Sequence, residues 1–231
     1  EEAHLPGARF LDLSRLVWDG DPSVGTEMRP AEEVEAALRE AGVAADAHHV
    51  VVYARNPLFA SRAFLTLEAI GFRGRAHVLD GGLGAWLEEG RTTDTAEPDP
   101  ASGDVTVRAQ ADLFVDADWI HERLGDASVA LIDARPDDEY TGADDGLGGR
   151  VNPGHIPGAV QMYWEEMIDS RELPRLLPRD EVRAMFEAAG AAPGDTVVAY
   201  CQVGWRASYT DRKSTRLNSS HVRTSRMPSS A

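Results

Sequence analysis

The feature that most constrains this chain is an internal repeat with a period of about 150 residues. The segment His-Leu-Pro-Gly-Ala at 4–8 returns as His-Ile-Pro-Gly-Ala at 155–159. Three further matches follow in the same order and at similar offsets, which indicates a duplicated structural unit. They pair 30–34 with 178–182, 51–53 with 198–200, and 60–61 with 207–208.

Both copies alternate short apolar runs with helical patterns. Such alternation predicts an α/β fold with two domains, each a mainly parallel sheet flanked by helices. In the first copy we expect helices over 60–70 and 83–87 and a strand over 76–79. In the second copy we expect helices over 118–124 and 180–189 and strands over 129–132 and 196–200.

The repeat and the composition together divide the chain into four segments. Residues 1–95 form the first domain, and 96–111, rich in Pro, Ser and acidic residues, form a linker. Residues 112–210 form the second domain. In 211–231 the composition changes to Ser, Thr, Arg and Asn, and Lys213 is the chain's single lysine. The letters DRKSTRLNSSH resemble the conceptual translation of a sequencing adapter, so we interpret this last segment as a non-native tail.

Each copy supplies what the other lacks. The second has a helix and a strand before its His-Ile-Pro-Gly-Ala motif, and the first has no counterpart for them. The first has a helix, a strand and a second helix after its strand at 51–53, whereas nothing recognisable follows Tyr209 in the second. We therefore expect both domains to be incomplete, and the chain as it stands to have little activity.

Composition excludes several classes of partner. The formal net charge of −16 opposes binding to nucleic acid and to anionic membranes. No run of about 18 apolar residues is present, so no membrane span is expected. No cluster of ligand residues predicts a metal or an organic cofactor. We expect a monomer located in the cytoplasm, with the periplasm as the alternative.

Cys201 is the only cysteine, which excludes an internal disulfide and a multi-thiolate metal site. It directly follows the predicted strand 196–200, and a residue there faces the usual ligand crevice of a parallel sheet. Gly204 allows a tight turn in which backbone N–H groups converge on the sulfur, and Arg206 adds positive charge nearby. These features favour a thiolate, and thus a nucleophile that can attack a sulfane sulfur.

Four motifs together resemble those of the tandem rhodaneses, the thiosulfate sulfurtransferase group. The resemblance covers about residues 1–210. The motifs are the loop Cys201-x-x-Gly204-x-Arg206-Ala207-Ser208, the turn His155-Ile156-Pro157-Gly158-Ala159, the pair Asp133-x-Arg135 with Glu139-Tyr140, and Leu79-Asp80-Gly81-Gly82-Leu83-x-Ala85-Trp86.

This resemblance implies a function. Cys201 would accept sulfur from a small anionic donor such as thiosulfate, release sulfite, and pass the sulfur to a thiol or to cyanide. Arg206 and Arg135 match family positions that meet the anionic end of the donor. Gln202, Val203, Gly204 and Trp205 would supply the loop backbone and a wall of the pocket.

The remaining motif residues match non-catalytic positions. His155 resembles the family's structural turn, and Asp133 suits a hydrogen-bonding role at a strand end. In the first copy Ala54 stands where Cys201 stands in the second, and Pro57 removes one N–H group from the equivalent loop. That copy is therefore expected to be catalytically silent, as the first domain of a tandem rhodanese typically is.

Three alternatives remain open at this point. Mercaptopyruvate could be the donor, although its specific enzymes usually carry a small polar loop unlike this one. Cys201 could hold a persulfide for a protein acceptor without rapid turnover, as a relay module. A phosphatase or arsenate reductase is disfavoured, because those need five residues between the cysteine and the arginine, and here there are four.

Overall fold

A computed structural model describes residues 3–18, 27–96, 98, 101–110, 113–144, 146, 153–217 and 222–226. The chain folds into two compact units. Unit 1 contains Glu27–Gln110, the described residues 3–18 and the short segment Glu172–Arg175. Unit 2 contains the described residues between 113 and 171 and those from Leu176 onward.

Unit 1 combines one parallel and one antiparallel pair of strands with three α-helices. The parallel pair is β3 with β4, and the antiparallel pair is β1 with β2. A π-helical segment, Glu68–Phe72, continues the second helix, and a 3-10 turn, Leu13–Arg15, precedes the first strand. The elements are β1 (Val17–Trp18), β2 (Glu27–Met28), α1 (Ala31–Glu40), β3 (Val50–Val52), α2 (Pro57–Leu67), β4 (Ala76–Val78) and α3 (Gly82–Glu88).

Unit 2 is built on a five-stranded sheet in the order β5-β9-β8-β6-β7, in which every described pair is parallel. A 3-10 turn, Trp164–Met167, follows β7. The elements are β5 (Phe114–Val115), α4 (Ala117–His121), β6 (Val129–Asp133), α5 (Asp137–Thr141), β7 (Val160–Gln161), α6 (Arg179–Ala188), β8 (Thr196–Cys201), α7 (Trp205–Leu217) and β9 (Val222–Arg226). The predicted α/β class with mainly parallel sheets is confirmed.

The central strand of unit 2 is β8, and its sequence explains its position. From Val197 to Cys201 every residue is fully buried. A run of apolar residues without alternation is typical of a parallel strand covered on both faces. The neighbouring strand β6 ends at Asp133, whose register partner is Tyr200. The carboxyl ends of β6 and β8 therefore meet at one edge of the sheet.

The two units repeat several local details, each within its own unit. Helices α1 and α6 both have ten residues and both begin after a proline with nearly identical angles, φ −48° and ψ 143° at Pro30 and φ −48° and ψ 144° at Pro178. Both end at a glycine of positive φ, Gly42 and Gly190. In both, the following N–H closes the helix on a carbonyl five residues back, that of Leu38 or Phe186.

A second repeated detail joins the Pro-Gly turn to the buried strand. The Leu5 amide donates to the Tyr53 hydroxyl at 3.1 Å, and the Ile156 amide donates to the Tyr200 hydroxyl at 3.1 Å. The glycines of the two turns, Gly7 and Gly158, both have positive φ. The same motif thus makes the same hydrogen bond in each unit.

Residues 101–110 of the predicted linker pack along unit 1. Its backbone donates from Gly103 to the Arg39 carbonyl at 2.7 Å and from Gln110 to the Ala69 carbonyl at 2.6 Å. The Glu35 carboxylate accepts from the Val107 amide at 2.9 Å. The boundary between the units falls after Gln110.

The structure differs from the expectation that no element follows Tyr209. Helix α7 continues to Leu217, and β9 pairs in parallel with β8. The apolar pattern did not reveal this helix because the buried side chains after Tyr209 are polar: Thr210, Asp211 and Arg212 are each at most 4% exposed. Within the part of the chain that the structure describes, no helix has the length and apolar character needed to cross a membrane.

Candidate active site

Cys201 is the last residue of β8 and is fully buried. The chain then turns through Gln202, Val203 and Gly204 into α7. Gly204 has a φ of +89°, a conformation that side-chain-bearing residues rarely adopt. The turn therefore depends on a glycine at this position, and it places the first turn of α7 next to the cysteine sulfur.

Two backbone N–H groups are directed at the sulfur. The Gly204 amide lies 3.1 Å from Cys201 Sγ, and the Ala207 amide lies 3.5 Å from it. The Ser208 hydroxyl donates to the Gly204 carbonyl at 2.6 Å and holds the turn closed. Amide donors at a helix N-terminus stabilise negative charge, so this loop is suited to an anionic sulfur.

Arg206 projects from the same turn and is held by a carboxylate. Its Nη1 and Nη2 lie 2.6 Å and 3.0 Å from the two oxygens of Glu139, a bidentate pair. The side chains are only 18% and 11% exposed. Burial acts against the charge of the guanidinium, but the hydrogen bonds to Glu139 and the attraction of the Cys201 sulfur outweigh it, so the pKa of Arg206 lies above its ordinary value.

Arg135 is also paired with a carboxylate, and its side chain is more deeply buried than that of Arg206. Its Nε and Nη2 donate to Asp133 at 2.9 Å and 2.6 Å, and Nη2 donates to the Gly154 carbonyl at 2.7 Å. Burial acts against its charge as well, but the hydrogen bonds and charge of Asp133 outweigh it and raise the pKa of Arg135. The structure thus brings both predicted arginines towards the cysteine loop, and each is paired with a carboxylate there.

Asp133 connects this site to the interior of the sheet. It accepts from Arg135 and is hydrogen-bonded to the Tyr200 hydroxyl. Burial, followed by the charge of Asp133, raises the pKa of Tyr200 well above its ordinary value. Asp133 therefore has the hydrogen-bonding position at a strand end that its sequence context predicts.

The His155 ring packs against Tyr140. The two rings are stacked with a centroid separation of 3.8 Å and an interplanar angle of 12°. His155 Nδ1 lies 2.9 Å from the Tyr140 carbonyl, and the Tyr140 hydroxyl donates to the Ala159 carbonyl at 2.9 Å. These contacts fix the Pro-Gly turn, which agrees with the structural role expected for His155.

The other predicted loop residues differ in solvent exposure. Gln202 is 6% exposed, and the backbone of Gly146 approaches it so closely that a Cβ at Gly146 would collide with the Gln202 amide. Val203 and Trp205 are half-buried. Trp205 is the first residue of α7.

Sequence reasoning gave no role to Tyr163, which lies two residues after the end of β7. Burial and then the hydrogen bond to Glu165 raise the pKa of Tyr163 to about 12, and the charge of Arg206 acts on it in the opposite direction. Tyr163 is therefore a neutral hydroxyl that lies within range of the charge of Arg206. Its position just beyond the carboxyl end of a parallel strand, where ligands usually bind, is the sequence signal that could have marked Tyr163 as a residue near the site.

The equivalent loop of unit 1 carries no nucleophile. Ala54 follows β3, and Asn56 caps α2 by accepting from the Leu58 amide at 2.9 Å. Pro57 occupies the first position of that helix. A Cβ on Gly82 would lie 2.7 Å from the Ala54 carbonyl oxygen, so the backbone of α3 packs directly against this loop.

The chain resembles known proteins in sequence and in fold. Residues 116–224 match the rhodanese-like domain. The chain is 34% identical over 209 residues to a thiosulfate sulfurtransferase of Azotobacter vinelandii, covering 90% of this chain and 74% of the relative. It is 32% identical over 216 residues to a probable 3-mercaptopyruvate sulfurtransferase of Pseudomonas aeruginosa, with the same two coverages.

Among solved structures, the chain resembles the crystal structure of SseA from Escherichia coli, described with the 3-mercaptopyruvate sulfotransferases. The TM-score is 0.81 at 26% identity, over 96% of this chain and 82% of that chain. The solved structure shares the α/β fold, and the sequence relatives are named as sulfurtransferases. The chain therefore belongs to the rhodanese family of sulfurtransferases.

Proposed function

We propose that Cys201 is the nucleophile of sulfur transfer and carries the sulfur as a persulfide. Its thiolate attacks the outer sulfur of thiosulfate, and a new sulfur–sulfur bond forms. The bond to the sulfonate sulfur breaks with its electron pair, so sulfite leaves. A thiol or cyanide then attacks the terminal sulfur, and the Cys201 thiolate is regenerated.

The observation that carries this proposal is the pair of N–H groups, from Gly204 and Ala207, directed at Cys201 Sγ. Thiolate and persulfide are both anionic, so the same donors stabilise the resting and the loaded forms. No neighbouring carboxylate is needed as a base, since the attacking group in this step is a thiolate.

Thiosulfate is the donor that we propose. Relatives named thiosulfate sulfurtransferase, at 34% and 31% identity, support it. Arg206 and Arg135 would contribute positive charge towards the dianion, Arg206 while held by Glu139. Mercaptopyruvate is the second candidate, supported by the relative at 32% identity that carries that name.

The two units would then have different roles, as in a tandem arrangement. Unit 2 carries the nucleophile, and unit 1 is catalytically silent because Ala54 has no reactive group. The repeated helix ends and the repeated tyrosine hydrogen bonds support a common origin of the two units.

Intact-mass spectrometry tests the covalent step. After incubation with thiosulfate and rapid desalting, the protein should gain one sulfur, about 32 Da, and cyanide should remove it. Because the chain has a single cysteine, Cys201→Ser should show no gain. A folded protein without the adduct, judged by circular dichroism, would contradict the proposal, as would an adduct on Cys201→Ser.

A donor comparison separates the two candidates. Thiocyanate formation is measured with thiosulfate and with mercaptopyruvate, using cyanide as the common acceptor. A higher kcat/KM for thiosulfate is expected. A higher kcat/KM for mercaptopyruvate would identify mercaptopyruvate as the donor and would leave the role of Cys201 as the nucleophile unchanged.

A further inference from the structure

Two histidines lie side by side at the parallel strand pair of unit 1, one within β4 and the other immediately before β3. His77 belongs to β4 and is in register with Val51 of β3, and His49 stands two residues before Val51. Register partners of neighbouring strands point to the same face, so Val51 and His77 share one face. The contact between the two imidazole rings places His49 on that face as well. That face is open, because Val51 is 55% exposed and His49 is exposed.

The two rings approach each other through their nitrogens. His49 Nδ1 lies 2.9 Å from His77 Nε2, with ring centroids 4.9 Å apart and an interplanar angle of 52°. In the neutral pair one nitrogen donates its hydrogen to the other. A neutral imidazole carries its hydrogen on either nitrogen, so a change of tautomer leaves both facing nitrogens with lone pairs.

The separation of the two nitrogens fits a metal chelate. Imidazole nitrogens bind divalent ions such as Zn²⁺ at about 2.0–2.1 Å. At such distances two ligands at a right angle lie about 2.9 Å apart, whereas two ligands at the tetrahedral angle lie about 3.3–3.4 Å apart. The 2.9 Å separation therefore matches adjacent ligands of a square-planar or octahedral ion. Such geometry with nitrogen and oxygen ligands is typical of Cu²⁺ and Ni²⁺.

We propose that His49 and His77 form a binding site for Cu²⁺ or Ni²⁺ on the open face of unit 1. Among the described residues no group of three or more His, Cys, Asp and Glu could hold a metal ion, so water completes the coordination at this pair. Neither histidine is buried in the core or belongs to the cysteine loop. The site is thus independent of the sulfur chemistry proposed for Cys201.

The test uses the full chain in a Cys201→Ser background, which removes the thiol as a competing ligand. Ni²⁺ affinity is measured by isothermal titration calorimetry for the parent, His49→Gln and His77→Gln. Two ligands on one scaffold bind far more tightly than either alone, so each change should weaken binding about 10²-fold. His48→Gln and His121→Gln are matched controls, since both residues are exposed histidines outside the pair, and they should leave the affinity unchanged.

Pulsed electron paramagnetic resonance with one equivalent of Cu²⁺ gives a direct readout of the ligands. The parent should show modulation from two imidazoles, and His77→Gln should not. Unchanged Ni²⁺ affinity in both His49→Gln and His77→Gln would overturn the proposal. A spectrum with a single imidazole in the parent, or equal loss of affinity in His48→Gln, would also overturn it.

Discussion

Glu139 accepts hydrogen bonds from both terminal nitrogens of Arg206, the cation nearest in sequence to Cys201. A buried pair of this kind keeps the guanidinium in place and also cancels much of its charge. Asp133 does the same for Arg135. The site around the sulfur thus contains two arginines but little net positive charge, and the partner carboxylates decide how strongly each arginine attracts an anionic donor.

Glu139→Gln tests this balance at a single residue. The amide keeps one acceptor for Arg206 but removes the negative charge, so the site should attract thiosulfate more strongly. Repulsion between one carboxylate and a dianion bound a few ångströms away costs on the order of 1–2 kcal/mol of binding free energy. The KM for thiosulfate should therefore fall several-fold. The KM for mercaptopyruvate, a monoanion, should fall less. Steady-state kinetics measures both values.

Glu166→Gln is the control for that variant, because Glu166 is an exposed carboxylate on the nearby 3-10 turn. It should change neither KM. A rise in the KM for thiosulfate in Glu139→Gln would show that the intact ion pair, and not the free charge of Arg206, is needed for donor binding.

The paired tyrosine hydrogen bonds allow a matched comparison between the two units. Tyr200→Phe removes the acceptor of the Ile156 amide and a hydrogen-bond partner of Asp133, in a fully buried position. It should lower the free energy of unfolding by about 1–3 kcal/mol. Tyr53→Phe removes the same type of bond where the ring is half-buried, so its effect should be smaller. Urea unfolding measures both, and equal effects would contradict this account.

At the scale of elements, the end of α2 carries a buried carboxylate. Glu68 is 4% exposed at the start of the π-helical segment Glu68–Phe72. Burial raises its pKa above the ordinary value of 4.5, although the Gly74 amide and Arg73 act in the opposite direction. The folded state therefore binds this proton more tightly than the unfolded state does. Its contribution to stability is present below 4.5 and is lost as the pH rises through the raised pKa.

Glu68→Gln should remove this pH dependence. The amide resembles the protonated acid and can still accept from the Gly74 amide. The variant and the parent should therefore have similar stability at pH 4, and the variant should be the more stable at pH 7. Urea unfolding at the two pH values measures the difference, with the exposed Glu32→Gln as a control. A variant that is less stable at pH 7 would contradict the prediction.

The length and the apolar pattern of each element decide whether it could be predicted from the sequence. Helix α6 and strands β6 and β8 were predicted because they have clear apolar patterns, and α6 is also bounded by a proline and a glycine. Strand β7 has only two residues and α5 has five, both too short to show a period. Helix α7 was not predicted, because the buried side chains beyond Tyr209 are polar.

At the scale of the whole molecule, the net charge of −16 is the dominant electrostatic property. Self-repulsion of like charges destabilises a compact state, and salt screens this repulsion beyond about 10 Å at 0.1 M but only beyond about 30 Å at 0.01 M. The urea midpoint should therefore rise when NaCl is increased from 10 mM to 200 mM. A fall would indicate that the local ion pairs, such as Arg15 with Glu40, outweigh the repulsion.

The sequence by itself determined the family and the α/β class, and it predicted two similar units and Cys201 as the nucleophile. These depend on patterns in the sequence: apolar periodicity, glycine and proline positions, and motifs repeated about 150 residues apart. Such patterns reflect chemistry between residues that are close along the chain, and they are therefore visible without the fold.

Only the tertiary structure decided how the charges of the site are paired. Arg206 and Glu139 are 67 residues apart along the chain, and Arg135 and Gly154 are 19 apart. The parallel order of β6 and β8 brings these residues to one sheet edge, where burial makes each guanidinium take a fixed acceptor. The approach of His49 to His77 has the same origin, because strand register places side chains together that no local pattern connects.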